Sequence, residues 1–422
     1  MNKIREIIKN PLIFGSSIIL IGSLAANLGH YLFNLILGRW LLTPSQYGLV
    51  VSLVSVTVLF SVFQLALTGI FAKFSAQFEA SKDKISLSDL IKKGFSLTLL
   101  VSSLILVILI IFFKSFSDFL HVNNIFIVLL TFAYIFLSIL SSLPMGILQG
   151  RVRVYVISFL NISNAIVKLI VGVGLVLLGY KVTGAMIGIV LSIIIMLVMG
   201  LFFIRKNVIK KTDKRENEQK LLVEELKKYG VKFFFATLGI TMFTSMDVIL
   251  ARHFFSPLIA GQYAALALMG KAIFYLTFPI YFVFFPLVAQ KKAKKEKVHN
   301  LLIQGAFLIL TVSILSSIFY FIYPHIVLKV FFPKPEYAVL AKYLGIFSIF
   351  ILIFSIANLF NNFLLSIGKT NIYLINLFCA LVMIILVYIF HSALIQIIYA
   401  LIGTSLLLFI SLFIYYWYNG RD

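Results

Sequence analysis

Three ionisable side chains stand where the sequence surrounds them with almost nothing polar: Asp247 in MDVILARHF, Lys168 in NISNAIVKLIV and Lys271 in LMGKAIFYL. Thirteen of the fourteen acidic residues fall in segments that can reach water, and Asp247 is the remaining one. A dry ammonium is a compact attractor for anions, whereas a dry carboxylate among hydroxyls can bind Na⁺ through oxygen or carry a proton. An ionisable group at the centre of a membrane helix costs about 2.5 to 3.5 kcal/mol on insertion scales, so it usually faces a cavity or a partner.

Amides and hydroxyls accompany these charges at helical spacing. Asn161, Asn164 and Lys168 stand at i, i+3 and i+7, on one face. Asn27, His30 and Asn34 form a second such face, and Asn358, Asn361 and Asn362 a third. Thr237, Thr241 and Thr244 precede Asp247, while Arg39 and Arg252 close apolar runs. Read for chemistry, Lys168, Lys271, Arg39 and Arg252 attract an anionic headgroup, arginine as a bidentate phosphate donor. The asparagines and His30 then bind hydroxyls, and Asp247 with Thr241 and Thr244 holds a Na⁺ or a proton. Read for structure alone, the asparagines tie helices together and the arginines anchor at the interface. The lysines then snorkel or pair with Asp247, or Asp247 pairs with Arg252, five residues on. Both readings stand at the level of sequence.

Several other chemistries are excluded. The single Cys379 allows no intramolecular disulfide and no thiolate cluster, and the six histidines form no HExxH pair, so neither a metal site nor a cofactor is expected. Gly368-Lys369-Thr370 has Phe363 where a P-loop needs its first glycine and lies in a short loop between apolar runs. The longest loop on its side of the membrane, about Pro324 to Lys342, holds one acid, Glu336, which argues against an enzyme. The sequon at Asn161 lies inside an apolar span, out of reach of modification.

The elements that must position these residues follow from hydropathy. A mean hydropathy of +1.09 with 62% hydrophobic residues over 422 positions demands a bilayer as solvent. Twelve apolar windows qualify as spanning helices: about 12–37, 46–72, 94–113, 124–148, 154–178, 182–204, 231–251, 260–288, 301–322, 338–365, 371–390 and 393–417. The first is too long for a secretory signal core and reads as an uncleaved helix. Helices satisfy their own backbone hydrogen bonds in lipid, so the expected fold class is an all-α integral membrane protein. The net charge of +22 sits in short clusters between spans, which argues against nucleic acid. Alternating the loops puts 27 of the 36 Lys and Arg on one side and seven on the other, so both termini are expected in the cytoplasm.

The chain also resembles itself. NLILGRWLLTPSQYG, near the end of the first span, matches DVILARHFFSPLIAGQY, near the end of the seventh, pairing Asn34 with Asp247, Arg39 with Arg252 and Pro44 with Pro257 at an offset of 213. GRVRVYVI from Gly150 resembles GKTNIYLI from Gly368. A duplicated six-helix unit with an even number of spans gives parallel repeats about an axis along the membrane normal. The expected division is a lobe over 1–205, a charged cytoplasmic linker over 206–229 and a second lobe over 230–422.

The arginine closing the first span before LLTPSQYGL, the LQGRVRVYVISFLN entry to the fifth and the MDVILAR…AGQYAAL passage carry a family resemblance. The chain resembles the Wzx-like oligosaccharide flippases of the MOP (multidrug/oligosaccharidyl-lipid/polysaccharide) superfamily, over nearly its whole length. That resemblance implies a MATE/MOP-like fold of twelve helices in two lobes. It also implies alternating-access movement of a polyprenyl-(pyro)phosphate-linked oligosaccharide from the cytoplasmic to the outer leaflet of the cell membrane. Expected partners are that lipid, bulk membrane lipids and proteins of glycan polymerisation. The alternative on the same fold is a cation-coupled multidrug exporter, whose cavity would favour net negative charge and aromatic faces. Two deep lysines against one acid lean toward an anionic substrate.

Overall fold

The computed structural model describes residues 11–205, 231–293 and 296–419; the linker expected at 206–229 lies outside them. Among the described residues every regular element is helical. The first half holds α1 (Pro11–Ile36), a wide five-residue π turn (Leu37–Leu41), α2 (Pro44–Ala80), α3 (Lys84–Ile111), α4 (Phe113–Phe119), α5 (Ile125–Leu140), α6 (Ser142–Gly150), α7 (Val154–Leu175) and α8 (Lys181–Ile204). The second half holds α9 (Val231–Phe254), α10 (Pro257–Ala293), α11 (His299–Ile322), α12 (Pro324–Phe331), α13 (Ala341–Ser366), α14 (Tyr373–Ile389) and α15 (Leu394–Asn419).

Each of the twelve expected spans has its helix. The helices differ from the hydropathy windows where polarity or sterics intervene. Ten stretches qualify as spans by length and composition, and one of these, Val154–Ile204, is 51 residues long. At 1.5 Å per residue it would reach about 77 Å, more than twice a hydrocarbon core. It breaks where Gly179 (φ 94°) and Lys181 (φ 47°) take left-handed backbone, giving α7 and α8. With α1, which falls outside those ten, the count among the described residues is twelve. The expected single helix over 124–148 divides at Ser141. There Ser138, Ser141 and Ser142 donate to the carbonyls of Ile135, Ser138 and Ile139, and Pro144 is accepted in the first turn of α6. The loop expected near residues 73–93 is mostly helix, because α2 continues to Ala80 and Asp83 accepts hydrogen bonds from Ile85 N and Ser86 N to start α3.

The internal repeat is visible in element lengths. α2 and α10 are both 37 residues, each starting on a proline and ending on an alanine 213 positions from its mate. The short helices α4 and α12, which hydropathy did not reveal, follow the third span of each half.

The chain packs as two compact units: residues 1–36 with 60–234, and residues 37–59 with 235–422. The first unit is knit by glycines. Gly188 stands against the backbone of Gly172 where α7 and α8 cross, and α1 runs in register beside α7, with Gly22 on Ser158 and Gly29 on Ala165. Gly146 and Gly150 let α6 approach the Phe71 to Ser75 stretch of α2, where Ser75 Oγ donates to Ile147 O (3.1 Å) and Arg151 pairs with Glu79 (2.9 Å). In the second unit α13 is central, with Phe347, Phe350, Phe354 and Phe363 fully buried. Its packing partners are α10, α11 and α15. The starts of α2 and α10 meet there at two glycines, Gly48 against Gly261. Lys334 Nζ donates to Leu42 O (2.7 Å) beside them.

Candidate functional site

The register of α1 on α7 decides what surrounds Lys168. Two glycine contacts 136 residues apart in number, Gly22 to Ser158 and Gly29 to Ala165, bring the next turns together, and Gly172 leaves room for the Phe33 ring. The Lys168 ammonium lies over that ring, 4.7 Å from its centroid. Such a cation–π contact steadies the ammonium without neutralising it. The residue is 8% exposed, and among the described residues no carboxylate stands within ion-pair distance. His30 is within electrostatic reach of Lys168, and its Nδ1 is buried without a hydrogen-bond partner among the described residues.

The amides of this unit divide into committed and open ones. Asn34 Nδ2 donates to His30 O (2.9 Å), and Asn164 Nδ2 donates to Ser192 Oγ (3.2 Å). Asn27 and Asn161 are half-buried and bond to nothing among the described residues. The seam of α1 and α7 therefore carries an uncompensated ammonium, an imidazole and two open amides. Chemically, such a set is able to attract an anion and to donate to hydroxyls.

The second unit treats its charges differently. Asp247 is fully buried, and its Oδ2 accepts from Tyr263 Oη at 3.2 Å. Lys271 Nζ lies 3.7 Å from Asp247 Oδ1 and donates to Thr244 O at 2.7 Å. The carboxylate and ammonium thus form a pair within the α9–α10 hairpin, and the partner of Asp247 is Lys271 together with Tyr263. Thr244 Oγ1 donates to Thr241 O and Thr241 Oγ1 to Thr237 O, so both hydroxyl protons are spent on their own helix. Arg252, in the last turn of α9, is 5% exposed. Arg39 sits in the π turn with its guanidinium 4.8 Å from the exposed Trp40 ring.

The α13 asparagines are tied inside this unit. Asn362 Nδ2 donates to Asn358 O and Oδ1 (2.8 and 3.2 Å), and Asn376 Nδ2 bridges Asn361 Oδ1 (2.8 Å) and Ala236 O (3.0 Å). Three residues that the sequence reading did not assign matter here: Phe33, Tyr263 and Asn376. Tyr263 had a usable signal, since it stands eight residues before Lys271 on one helix face and recurs in the duplicated segment as Tyr47.

The sequence profile described as "Polysaccharide biosynthesis protein" matches residues 12–292, and that described as "MatE" matches residues 286–389. The chain belongs to the polysaccharide biosynthesis protein family. It is a multi-pass membrane transporter of the MOP superfamily, and family and fold point to transport rather than enzymatic chemistry. Among solved structures it is similar to a multidrug resistance MATE family transporter in an inward-facing conformation (TM-score 0.71, 12% identity, 94% of this chain and 93% of that one). The outward-facing form of such a transporter gives TM-score 0.70 at 13% identity, covering 95% and 94%. A MOP superfamily transporter from Pyrococcus furiosus, described as having a binding pocket of reverse polarity that suggests a different function, gives TM-score 0.68 at 13% identity, covering 95% of each chain. At these identities the likeness establishes the fold. No curated protein sequence matches the chain.

Proposed function

We propose that this transporter moves a polyprenyl-(pyro)phosphate-linked oligosaccharide from the cytoplasmic to the outer leaflet of the cell membrane by alternating access, with both termini in the cytoplasm. Proteins of glycan biosynthesis and polymerisation then supply and consume the lipid. The observation that carries this reading is Lys168, a membrane-embedded ammonium with no carboxylate within ion-pair distance among the described residues. Such a charge is costly in lipid and profits from an anionic ligand. An organic cation approaching the same group meets repulsion. His30, Asn27 and Asn161 offer the polar surface that phosphate oxygens and sugar hydroxyls require.

The MatE match over residues 286–389 and the buried Asp247 favour a second reading, export of organic cations. The reversed pocket polarity described for the Pyrococcus transporter illustrates that charge can separate functions on this fold. In the flippase reading Asp247 is the residue at which Na⁺ or H⁺ couples to the cycle.

The test is reconstitution in liposomes with a prenyl-pyrophosphate-linked sugar and, separately, ethidium. One charge-assisted hydrogen bond is worth about 1.5 to 3 kcal/mol, so Lys168→Gln should lower apparent affinity for the lipid about ten- to a hundredfold. Ethidium transport by the native protein with no lipid-linked sugar transport would refute the proposal.

A further inference from the structure

The two deep lysines are not equivalent. Lys168 stands on the fifth span of the first half, whereas Lys271 stands on the second span of the second half, so the repeat does not relate them. Among the described residues Lys168 has an aromatic ring beneath it and no carboxylate within ion-pair distance; Lys271 has an internal anion. The geometry of that anion is loose. The Lys271–Asp247 separation of 3.7 Å exceeds the 2.7–2.9 Å of a charge-assisted hydrogen bond, and the short contact of Lys271 is to the Thr244 carbonyl instead. Asp247 Oδ1 is buried with no hydrogen bond among the described residues, which leaves Lys271 as its nearest compensating charge. The Lys271 side chain is 17% exposed and Asp247 is not exposed at all, so of the two partners only the lysine reaches the accessible surface of the unit.

We infer that Asp247 is a built-in competitor for Lys271: it occupies that ammonium in place of the anionic substrate, and neutralising Asp247 releases Lys271 to bind the substrate headgroup. This rests on the anionic substrate proposed above and adds to it the condition under which Lys271 takes part. Lys271 binds a phosphate only when the carboxylate beside it has lost its charge, by taking up a proton or being screened by a bound cation. Tyr263 donates to the other carboxylate oxygen and holds Asp247 in place while this happens. Substrate and coupling ion then favour one another's binding, because each is better accommodated once the Lys271–Asp247 pair is open. A coupling of this kind needs no ligand shared between ion and substrate, only the lysine between them.

The experiment measures binding of farnesyl pyrophosphate, with farnesol as uncharged control, to the purified full-length transporter in detergent. In the native protein, Lys271→Gln should weaken binding far less than Lys168→Gln. Asp247→Asn should tighten binding about tenfold, and the gain should vanish in Asp247→Asn/Lys271→Gln. In parallel, acylation of lysines by an amine reagent, read by mass spectrometry, should rise at Lys271 in Asp247→Asn while Lys168 is unchanged. Equal losses from the two single lysine variants, or tightening by Asp247→Asn that survives without Lys271, would overturn the inference. If binding depends on Lys168 but ignores Asp247, this inference fails and the proposed function stands. If no variant binds the pyrophosphate although Lys271 labelling still responds to Asp247→Asn, the anionic substrate itself is wrong and both fall.

Discussion

The crossing of α2 and α10 makes a quantitative prediction about Gly261. A Cβ built there would lie 1.8 Å from the Pro44 carbonyl oxygen and 2.3 Å from its carbon. Ordinary contact is about 3.5 Å, so Gly261→Ala must drive two backbones apart by about 1.5 Å, and backbone cannot rotate out of the way as a side chain can. Overpacking costs about 1 to 3 kcal/mol. The displacement also strains two hydrogen bonds at the same end of the unit, Lys334 Nζ to Leu42 O and Gln262 Nε2 to Glu336 O, each worth about 0.5 to 1.5 kcal/mol. A total near 2 to 6 kcal/mol, at roughly 2 to 4 °C per kcal/mol for a unit of this size, lowers the unfolding midpoint by about 4 to 24 °C.

The chain supplies its own reporter and its own control. Cys379 is the single cysteine, fully buried on α14 in the same unit, so a maleimide dye reacts with it only as that unit opens. Gly403, in the interior of α15 and also in that unit, has nothing within 4 Å of where a Cβ would stand. Gly403→Ala should therefore raise the midpoint by a few degrees, since alanine is the better helix former by about 0.5 to 1 kcal/mol. A midpoint for Gly261→Ala indistinguishable from the parent, or a drop of equal size in Gly403→Ala, would refute the close crossing.

Other perturbations should separate strong contacts from weak ones. Gly188→Val, whose Cβ would lie 2.3 Å from Gly172 Cα, should prevent accumulation of folded protein in the membrane, measured by detergent-solubilised gel filtration. A double-mutant cycle of Asn361→Leu and Asn376→Leu should give a coupling of about 0.6 kcal/mol and not above about 1.7, read from unfolding in mixed micelles. Arg151→Ala removes a pair with the exposed Glu79 and should cost under about 1 kcal/mol, disappearing in 1 M salt. Burial lowers the affinity of Lys334 for its proton, and Glu336 only partly restores it, so the unfolded chain holds that proton more tightly. Stability should therefore rise with pH in the window just below the ordinary lysine range, and Lys334→Met should remove that rise from midpoints measured between pH 8 and 10.

Hydropathy was a good guide to spans because lipid imposes one requirement along the whole length of a helix. It was a poor guide to interruptions. The Ser141 break depends on three hydroxyls turning back onto carbonyls, and α4 and α12 are too short to register in a window meant for spans. Among the candidate residues, what the sequence made legible was their depth and their face. Their partners were not legible, because partners depend on which helices pack and in what register. Lys271 is about fifteen residues past the α9–α10 turn and Asp247 about eight before it, so equal depth would not have paired them. The lysine closes the gap by reaching back along its own helix toward Thr244, the direction in which helical side chains tilt.

The same register argument explains why a duplicated chain need not duplicate its chemistry. Backbone features repeat: prolines that start α2 and α10, and short helices after the third span of each half. The ionisable groups do not. At the repeat position of Asp247 stands Asn34, which is bonded to its own helix, and at an offset of 213 Lys168 answers to Leu381 and Lys271 to Val58. The difference in charge between the halves therefore lies at all three positions and not in one substitution of acid for amide.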